Sequence, residues 1–267
     1  MKILVYIFSI LGICYTLVCI AVYWWQERLI FHPETLPDDF QFHFSTHFEE
    51  VYLQNENSEN RLHGLWFKGK NSKSSQILLY FHGNAGSLQG WGQVAQDFVQ
   101  KGYDVLVIDY RQYGKSRGIL SEKQLLEDAK TAFEFLKKHY SEAQITLMGR
   151  SLGTGIAAYV ATLGKVKRLI LETPYYSFHA LVGAHINFLP VGILLRYHLP
   201  TSVYLEKINC PVYIFHGTAD AIIPLAQSER LKQQFPDIDL TVIENGNHNN
   251  LPSFAPYWQK MDTILRP

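Results

Sequence analysis

Cysteine is scarce in this chain: among 267 residues only Cys14, Cys19 and Cys210 occur. The first two fall in an apolar N-terminal stretch, so no disulfide can close within the remainder, and cysteine usage leaves the compartment open. Neither sign of charge is in surplus, with 24 Lys and Arg against 24 Asp and Glu. Without a basic excess to neutralise phosphates, the composition argues against nucleic-acid binding. Charged residues make up 18% of the chain, below the usual share of about 25%, while hydrophobic residues reach 47%. So much apolar surface collapses into a core, which excludes a disordered protein. Long internal repeats and low-complexity tracts are also lacking.

Charge is entirely missing from Ile3 to Trp25. A helix needs about 20 apolar residues to cross the hydrocarbon core of a bilayer. Tyr23, Trp24 and Trp25 close the run, where aromatic rings favour the headgroup layer, and Glu27 and Arg28 end it. A cleaved signal peptide is the alternative, because Lys2 precedes the run. The run is longer than the usual apolar region of about 7–15 residues, and Cys19-Ile20-Ala21 is a poor cleavage site. The stretch reads as a retained signal anchor over 1–28. Lys2 and the terminal amine give a slight positive-inside bias, which sets the N-terminus in the cytoplasm and the rest of the chain on the exocytoplasmic side.

The rest, about 240 residues, suits one α/β domain or two small ones. A linker over 29–45, marked by Pro33 and Pro37, leads into a domain over 46–267. Period-two segments at Phe48–Leu53 and Leu62–Lys68 predict an antiparallel hairpin. Short apolar runs follow at Ile77–Phe81, Val105–Ile108, Ile145–Met148, Leu169–Leu171, Val212–Phe215 and Leu240–Ile243, as expected of parallel strands buried on both faces. Helical stretches lie between them at Trp91–Gln100, Glu122–His139, Leu152–Leu163, Leu225–Phe235 and Pro252–Leu265. Strand alternating with helix means a mostly parallel sheet with helices on both faces. Residues 174–200 interrupt the alternation and are too apolar for a solvated loop, so they read as a small helical cap.

Chemistry concentrates at Gly149-Arg150-Ser151-Leu152-Gly153, after one strand and before one helix. On its own, G-x-S-x-G recurs by chance. Between a strand and a helix it is a nucleophile elbow, a strained turn that lifts the serine hydroxyl above the sheet. A serine needs a base and an orienting acid, which follow in the order Ser, acid, His. Asp220, in His216-Gly217-Thr218-Ala219-Asp220, and His248, in Gly246-Asn247-His248-Asn249-Asn250, both lie on loops leaving strands at their C-terminal ends. Open α/β sheets place their sites at those ends. An oxyanion hole would use the backbone N–H of Leu152 and, from the glycine-containing loop His82-Gly83-Asn84-Ala85-Gly86, that of Asn84.

These pieces resemble the α/β-hydrolase superfamily, and in particular its membrane-anchored abhydrolase-domain serine hydrolases. Matching segments are YFHGNAGS (80–87), DYRQYGKSRG (109–118), GRSLGT (149–154), LETPYYS (171–177), PVYIFHGTADAIIP (211–224) and GNHNN (246–250), in order from about residue 47 to the end. The anchor followed by Gln26-Glu27-Arg28-Leu29-Ile30-Phe31 is similar to that group as well. Gln112 departs from it, since relatives more often carry glycine there. The resemblance implies hydrolysis of carboxylic esters, thioesters or amides through an acyl-enzyme, with no cofactor. It also raises Glu172 as a rival acid, because some relatives place the acid on that strand; the order rule favours Asp220.

Other readings are weaker. Gly153-Thr154-Gly155-Ile156-Ala157-Ala158 fits a dinucleotide fingerprint with Glu172 beyond it, but Gly149–Leu152 already fills the strand-to-helix turn, so the glycines suit close helix–sheet packing. His43 and His47 have i,i+4 spacing, yet no third ligand is evident and no metal is expected. His82 and His216 read as structural, and Asp109 as fixing the turn 110–116. The expected protein is a membrane-anchored serine hydrolase with catalytic Ser151, Asp220 and His248, acting on acyl or lipid esters or thioesters. A peptidase or amidase of the same fold, or a catalytically inactive scaffold, are the alternatives.

Overall fold

Within Ile77-Leu78-Leu79-Tyr80-Phe81 every side chain is buried, and successive residues go to opposite cores: Ile77, Leu79 and Phe81 to one, Leu78 and Tyr80 to the other. That alternation is the pleat of a strand covered on both faces. The computed structural model describes residues 1–53, 60–69 and 76–266. Its main sheet is built from β1 (Phe48–Tyr52), β2 (His63–Phe67), β3 (Ile77–Phe81), β4 (Asp104–Ile108), β5 (Ile145–Arg150), β6 (Arg168–Glu172), β7 (Val212–Gly217) and β8 (Asp239–Ile243). The strands run in the order β8-β7-β6-β5-β3-β4-β2-β1. Pairings from β4 through β8 are parallel, while β2 pairs antiparallel with both β1 and β4. The expected hairpin is thus β1–β2, and its connection at 54–59 lies outside the described residues.

Helices cover both faces. Buried side chains of α2 (Leu88–Gln100) and α9 (Ala255–Leu265) join one core, where Phe98, Val99, Tyr257 and Met261 meet Val105, Val107 and Met148. Those of α3 (Glu122–Lys137), α4 (Leu152–Ala161) and α8 (Ala226–Gln234) join the other, with Phe133, Ile156, Ala157 and Leu231. On α3 the buried residues Leu125, Ala129, Ala132, Phe133 and Leu136 form one helical stripe. Each large side chain so buried contributes about 1.5–3 kcal/mol. Helix α2 starts three residues before the expected Trp91, because Ser87 caps it by accepting from the Gln89 N–H at 3.3 Å.

The cap segment folds as α5 (Phe178–His185) and α6 (Val191–Leu194), with α7 (Thr201–Leu205) leading back towards β7. Ser177 opens α5 by accepting from Ala180 N–H at 3.0 Å.

At the N-terminus, α1 (Lys2–Ile30) is long and apolar enough to cross a membrane, with a mean hydropathy of 2.5 in its most apolar window. It does not stop at residue 28. Gln26 and Glu27, which break the apolar run, are engaged by the cap, so the helix continues to Ile30. The Gln26 Nε2 donates to Leu194 O at 3.0 Å, its Oε1 accepts from Arg196 N–H at 2.8 Å, and Glu27 pairs with Arg196 at 2.5 Å. The stretch 29–45, expected to be a linker, is packed against the domain instead. Phe31, Leu36 and Phe42 are buried, and His32–Pro33 forms a short parallel pair with Ala85–Gly86. Aromatic and aliphatic residues around the prolines explain the difference: Phe31, Leu36 and Phe42 supply enough apolar surface to hold the segment down.

Candidate active site

The elbow forms where β5 meets α4. Ser151 sits between them at φ +51° and ψ −118°, a backbone conformation that costs about 1–3 kcal/mol for a non-glycine residue. Its glycine flanks are sterically required. A Cβ on Gly149 would lie 2.3 Å from Gly153 O, and one on Gly153 would lie 2.1 Å from Phe81 O. Both contacts are with backbone that cannot move aside. Gly153 and Gly155 therefore serve close packing of α4, the latter against the Tyr175 hydroxyl, rather than cradling a phosphate.

Three distant residues meet at this turn. His248 Nε2 lies 3.0 Å from Ser151 Oγ, and His248 Nδ1 lies 2.8 Å from Asp220 Oδ2. The loops bearing Asp220 and His248 touch directly, since a Cβ on Gly217 would fall 2.1 Å from Gly246 O. Burial of Asp220 opposes its ionisation. Hydrogen bonding to His216 and His248 and from the Ile223 N–H outweighs that, and holds its carboxyl well below the usual carboxylate range. Oδ1 accepts from the N–H groups of Ile222 and Ile223 at 2.9 and 2.8 Å, which leaves Oδ2 for the imidazole. His216 is fully buried and bonds Ser228 Oγ and Ile223 O, which fixes the loop that presents Asp220.

The loop after β3 lies against Ser151: a Cβ on Gly83 would stand 3.8 Å from Ser151 Cβ. Asn84 follows, its carbonyl accepting from His32 N–H at 2.9 Å and from the Tyr113 hydroxyl at 2.5 Å. Its side chain donates to Ile30 O at 2.7 Å. Every one of these bonds turns the backbone without using the Asn84 N–H. Leu152 opens α4, so its N–H has no partner inside the helix. His82 braces the loop from beneath, bonding Gly83 O through Nδ1 and stacking on Trp91. Asp109 accepts from Leu88 N–H, with Gly114 packed so closely that a Cβ there would overlap its carboxylate. Gln112 adopts φ +74°, the left-handed region that glycine enters freely.

Glu172 does not reach the imidazole. It pairs with Arg150, whose Nε is 3.2 Å from Oε1, and accepts from the Tyr257 hydroxyl at 2.9 Å. Burial disfavours the Arg150 charge, but the Glu172 carboxylate together with the Tyr80 and Tyr257 hydroxyls more than offsets this and raises its pKa above the ordinary value. The Arg150 guanidinium also donates to His248 O at 3.1 Å and Asn249 Oδ1 at 3.3 Å. Neither residue's role was apparent from the motif, although Arg150 is its second residue. His43 and His47 are exposed, and no group of metal-ligating side chains occurs among the described residues.

Beside this centre, α1 and the cap enclose a cavity of about 400 Å³ lined almost entirely by apolar side chains, with Asn84 and Ile222 at its catalytic side.

Comparison with known proteins agrees with this architecture. The family model described as serine aminopeptidase S33, a hydrolase family, matches residues 72–203, which include Ser151 and the cap and end before Asp220 and His248. A protein of Mycobacterium tuberculosis is 29% identical over 243 residues, covering 90% of this chain and 86% of that one. The lysophosphatidylserine lipase ABHD12 of Macaca fascicularis is 28% identical over 196 residues, covering 62% of this chain and 47% of the lipase. Human alpha/beta hydrolase domain-containing protein 17C is 28% identical over 224 residues, covering 81% and 65% respectively. Among solved structures, an esterase of Pyrococcus furiosus superposes with a TM-score of 0.66 at 20% identity, over 88% of this chain and 97% of the esterase. The sheet order, the elbow and these matches agree on a serine hydrolase with the α/β-hydrolase fold, similar to the abhydrolase-domain proteins.

Proposed function

We propose that this protein is a membrane-anchored hydrolase that cleaves carboxylic ester or thioester bonds of acyl or lipid substrates through Ser151, His248 and Asp220. The observation that carries the reading is the continuous hydrogen-bonded line from Ser151 Oγ through the imidazole to Asp220 Oδ2. In this mechanism His248 Nε2 takes the Ser151 proton as Oγ attacks the acyl carbon. Asp220 holds Nδ1–H and stabilises the imidazolium that forms. The N–H groups of Asn84 and Leu152 receive the oxyanion. His248 then protonates the leaving alcohol or thiol, and water enters to release the acid by the same steps in reverse roles.

The acyl preference is supported by the apolar cavity beside Asn84 and by the lipase named among the relatives. Membrane anchoring is supported by α1 and its aromatic end, and Lys2 favours an exocytoplasmic catalytic domain. The description of the matching family favours a second reading, cleavage of peptide amides. Labelling by a fluorophosphonate probe, compared between wild type and Ser151→Ala, tests the nucleophile. Panels of acyl esters, acyl thioesters and aminoacyl amides then separate the readings. Folded wild-type protein that resists the probe would mark an inactive scaffold, and turnover of amides alone would select the peptidase.

A further inference from the structure

We infer that the last turns of α1 form one wall of the acyl-binding site, so that the acyl chain of a bilayer lipid enters it sideways from the membrane. The inference rests on the acyl-ester reading and specifies where the chain lies. The cavity is bounded on one side by Val22, Leu29 and Ile30 of α1 and on the other by Leu181, Leu189 and Leu194 of the cap. Its catalytic side touches Asn84, which would bind the oxyanion, and Ile222, whose N–H holds Asp220. A chain lying there would end at Asn84, next to Gly83, which packs against Ser151, and the volume of about 400 Å³ is within the range of small-molecule sites.

Polar ties fix this wall in place. Gln26 is 3% exposed on a helix whose other side chains are exposed or half-buried, and both ends of its amide are bonded to cap backbone. Glu27 adds the pair with Arg196 and accepts from the Tyr197 hydroxyl at 3.3 Å. Ile30 O receives the side chain of Asn84.

Depth along α1 argues for entry from the membrane. Tyr15 donates to Phe188 O at 2.9 Å. Nine residues separate Tyr15 from Trp24, about 14 Å along a helix. With the Tyr23–Trp25 cluster at the headgroup level, that places the cap tip near the middle of a hydrocarbon layer about 30 Å thick. Residues 178–195 contain no Asp, Glu, Lys or Arg. Phe188 at this tip is 66% exposed, surface that lipid chains would cover. The Phe188 carbonyl, which water could not reach there, has its partner in Tyr15.

The test uses the full chain in phosphatidylcholine vesicles, with active sites counted by fluorophosphonate labelling. The readout is the ratio of kcat/KM for p-nitrophenyl palmitate to that for p-nitrophenyl acetate. Val22→Trp and Leu189→Trp, which fill the cavity from opposite walls, are expected to lower that ratio at least tenfold. Ile10→Trp, on α1 but outside the cavity, keeps the wild-type ratio. Should a tryptophan variant fail to label, Val22→Ala enlarges the same space and shifts preference towards bulkier acyl chains. A non-exchanging long-chain ester is consumed in the enzyme's own vesicles and spared in separate ones. Unchanged ratios in the cavity variants, an equal fall in Ile10→Trp, equal consumption in both vesicle populations, or acetate turnover without palmitate turnover would each overturn the inference. Wild type that neither labels nor hydrolyses either ester would instead overturn the catalytic reading beneath it.

Discussion

Arg150, immediately before Ser151, reaches over to His248: its guanidinium donates to the His248 carbonyl at 3.1 Å while its Nε faces Glu172 Oε1 at 3.2 Å. One side chain thus connects the elbow, the neighbouring strand and the histidine loop. Removing either partner of a buried ion pair leaves an uncompensated charge, at a cost of about 3–5 kcal/mol. Arg150→Met is expected to destabilise the domain by that amount, and Arg150→Met with Glu172→Gln by clearly less. Chemical denaturation of the two variants, monitored by Trp fluorescence, checks the difference. Equal losses would mean that the pair does not act as a unit.

Ser151→Ala is expected to lower ester hydrolysis by about 10⁴-fold or more while leaving the fold intact. The hydroxyl makes no structural bond besides the one to His248, so stability should change little. Rate assays and circular dichroism on the same preparation decide it.

Asp220 predicts a pH dependence with a definite sign. Its carboxyl is held below the usual range in the folded protein, so the folded state binds its proton less readily than the unfolded one. The resulting stabilisation is present above the unfolded value and is lost as pH falls through that value towards the folded one. The stability gap between wild type and Asp220→Asn is therefore expected to be widest near neutrality and to shrink as the medium is acidified below about pH 4. Thermal unfolding of both proteins across pH 3–7 measures it, and a gap that widens on acidification would contradict the assignment.

Gly153→Ala is expected to abolish activity and to prevent stable folding, because the added methyl would meet Phe81 O and His82 O with no flexible side chain to yield. Gly90→Ala, on an open face of α2, is the control, and is expected to express and unfold as wild type does. Soluble yield and melting temperature compare them.

Much of this was readable in the chain. The buried strands were visible as unbroken apolar runs, because a sheet covered on both faces asks the same of every residue. The three residues that meet in one hydrogen-bonded line, Ser151, Asp220 and His248, were separable from eleven histidines and many carboxylates by their order and by strand ends. The Arg150–Glu172 pair was hidden, since it follows from the register that places these residues side by side on β5 and β6. Packing of 29–45 was hidden too, because prolines mark turns whether or not the residues around them are held. The Gln26 contacts with Leu194 and Arg196 span about 170 positions, and no local pattern announces a partner so far away.

The clasp between α1 and the cap has a consequence for kinetics. An enzyme on a slack tether samples the aqueous volume around it, whereas this fold, once α1 is inserted, would be held at a constant height and tilt. With α1 in a bilayer, its encounters become two-dimensional. Turnover should then follow the mole fraction of substrate in the lipid sheet and fall when inert lipid dilutes it, even if the total amount in the tube is unchanged.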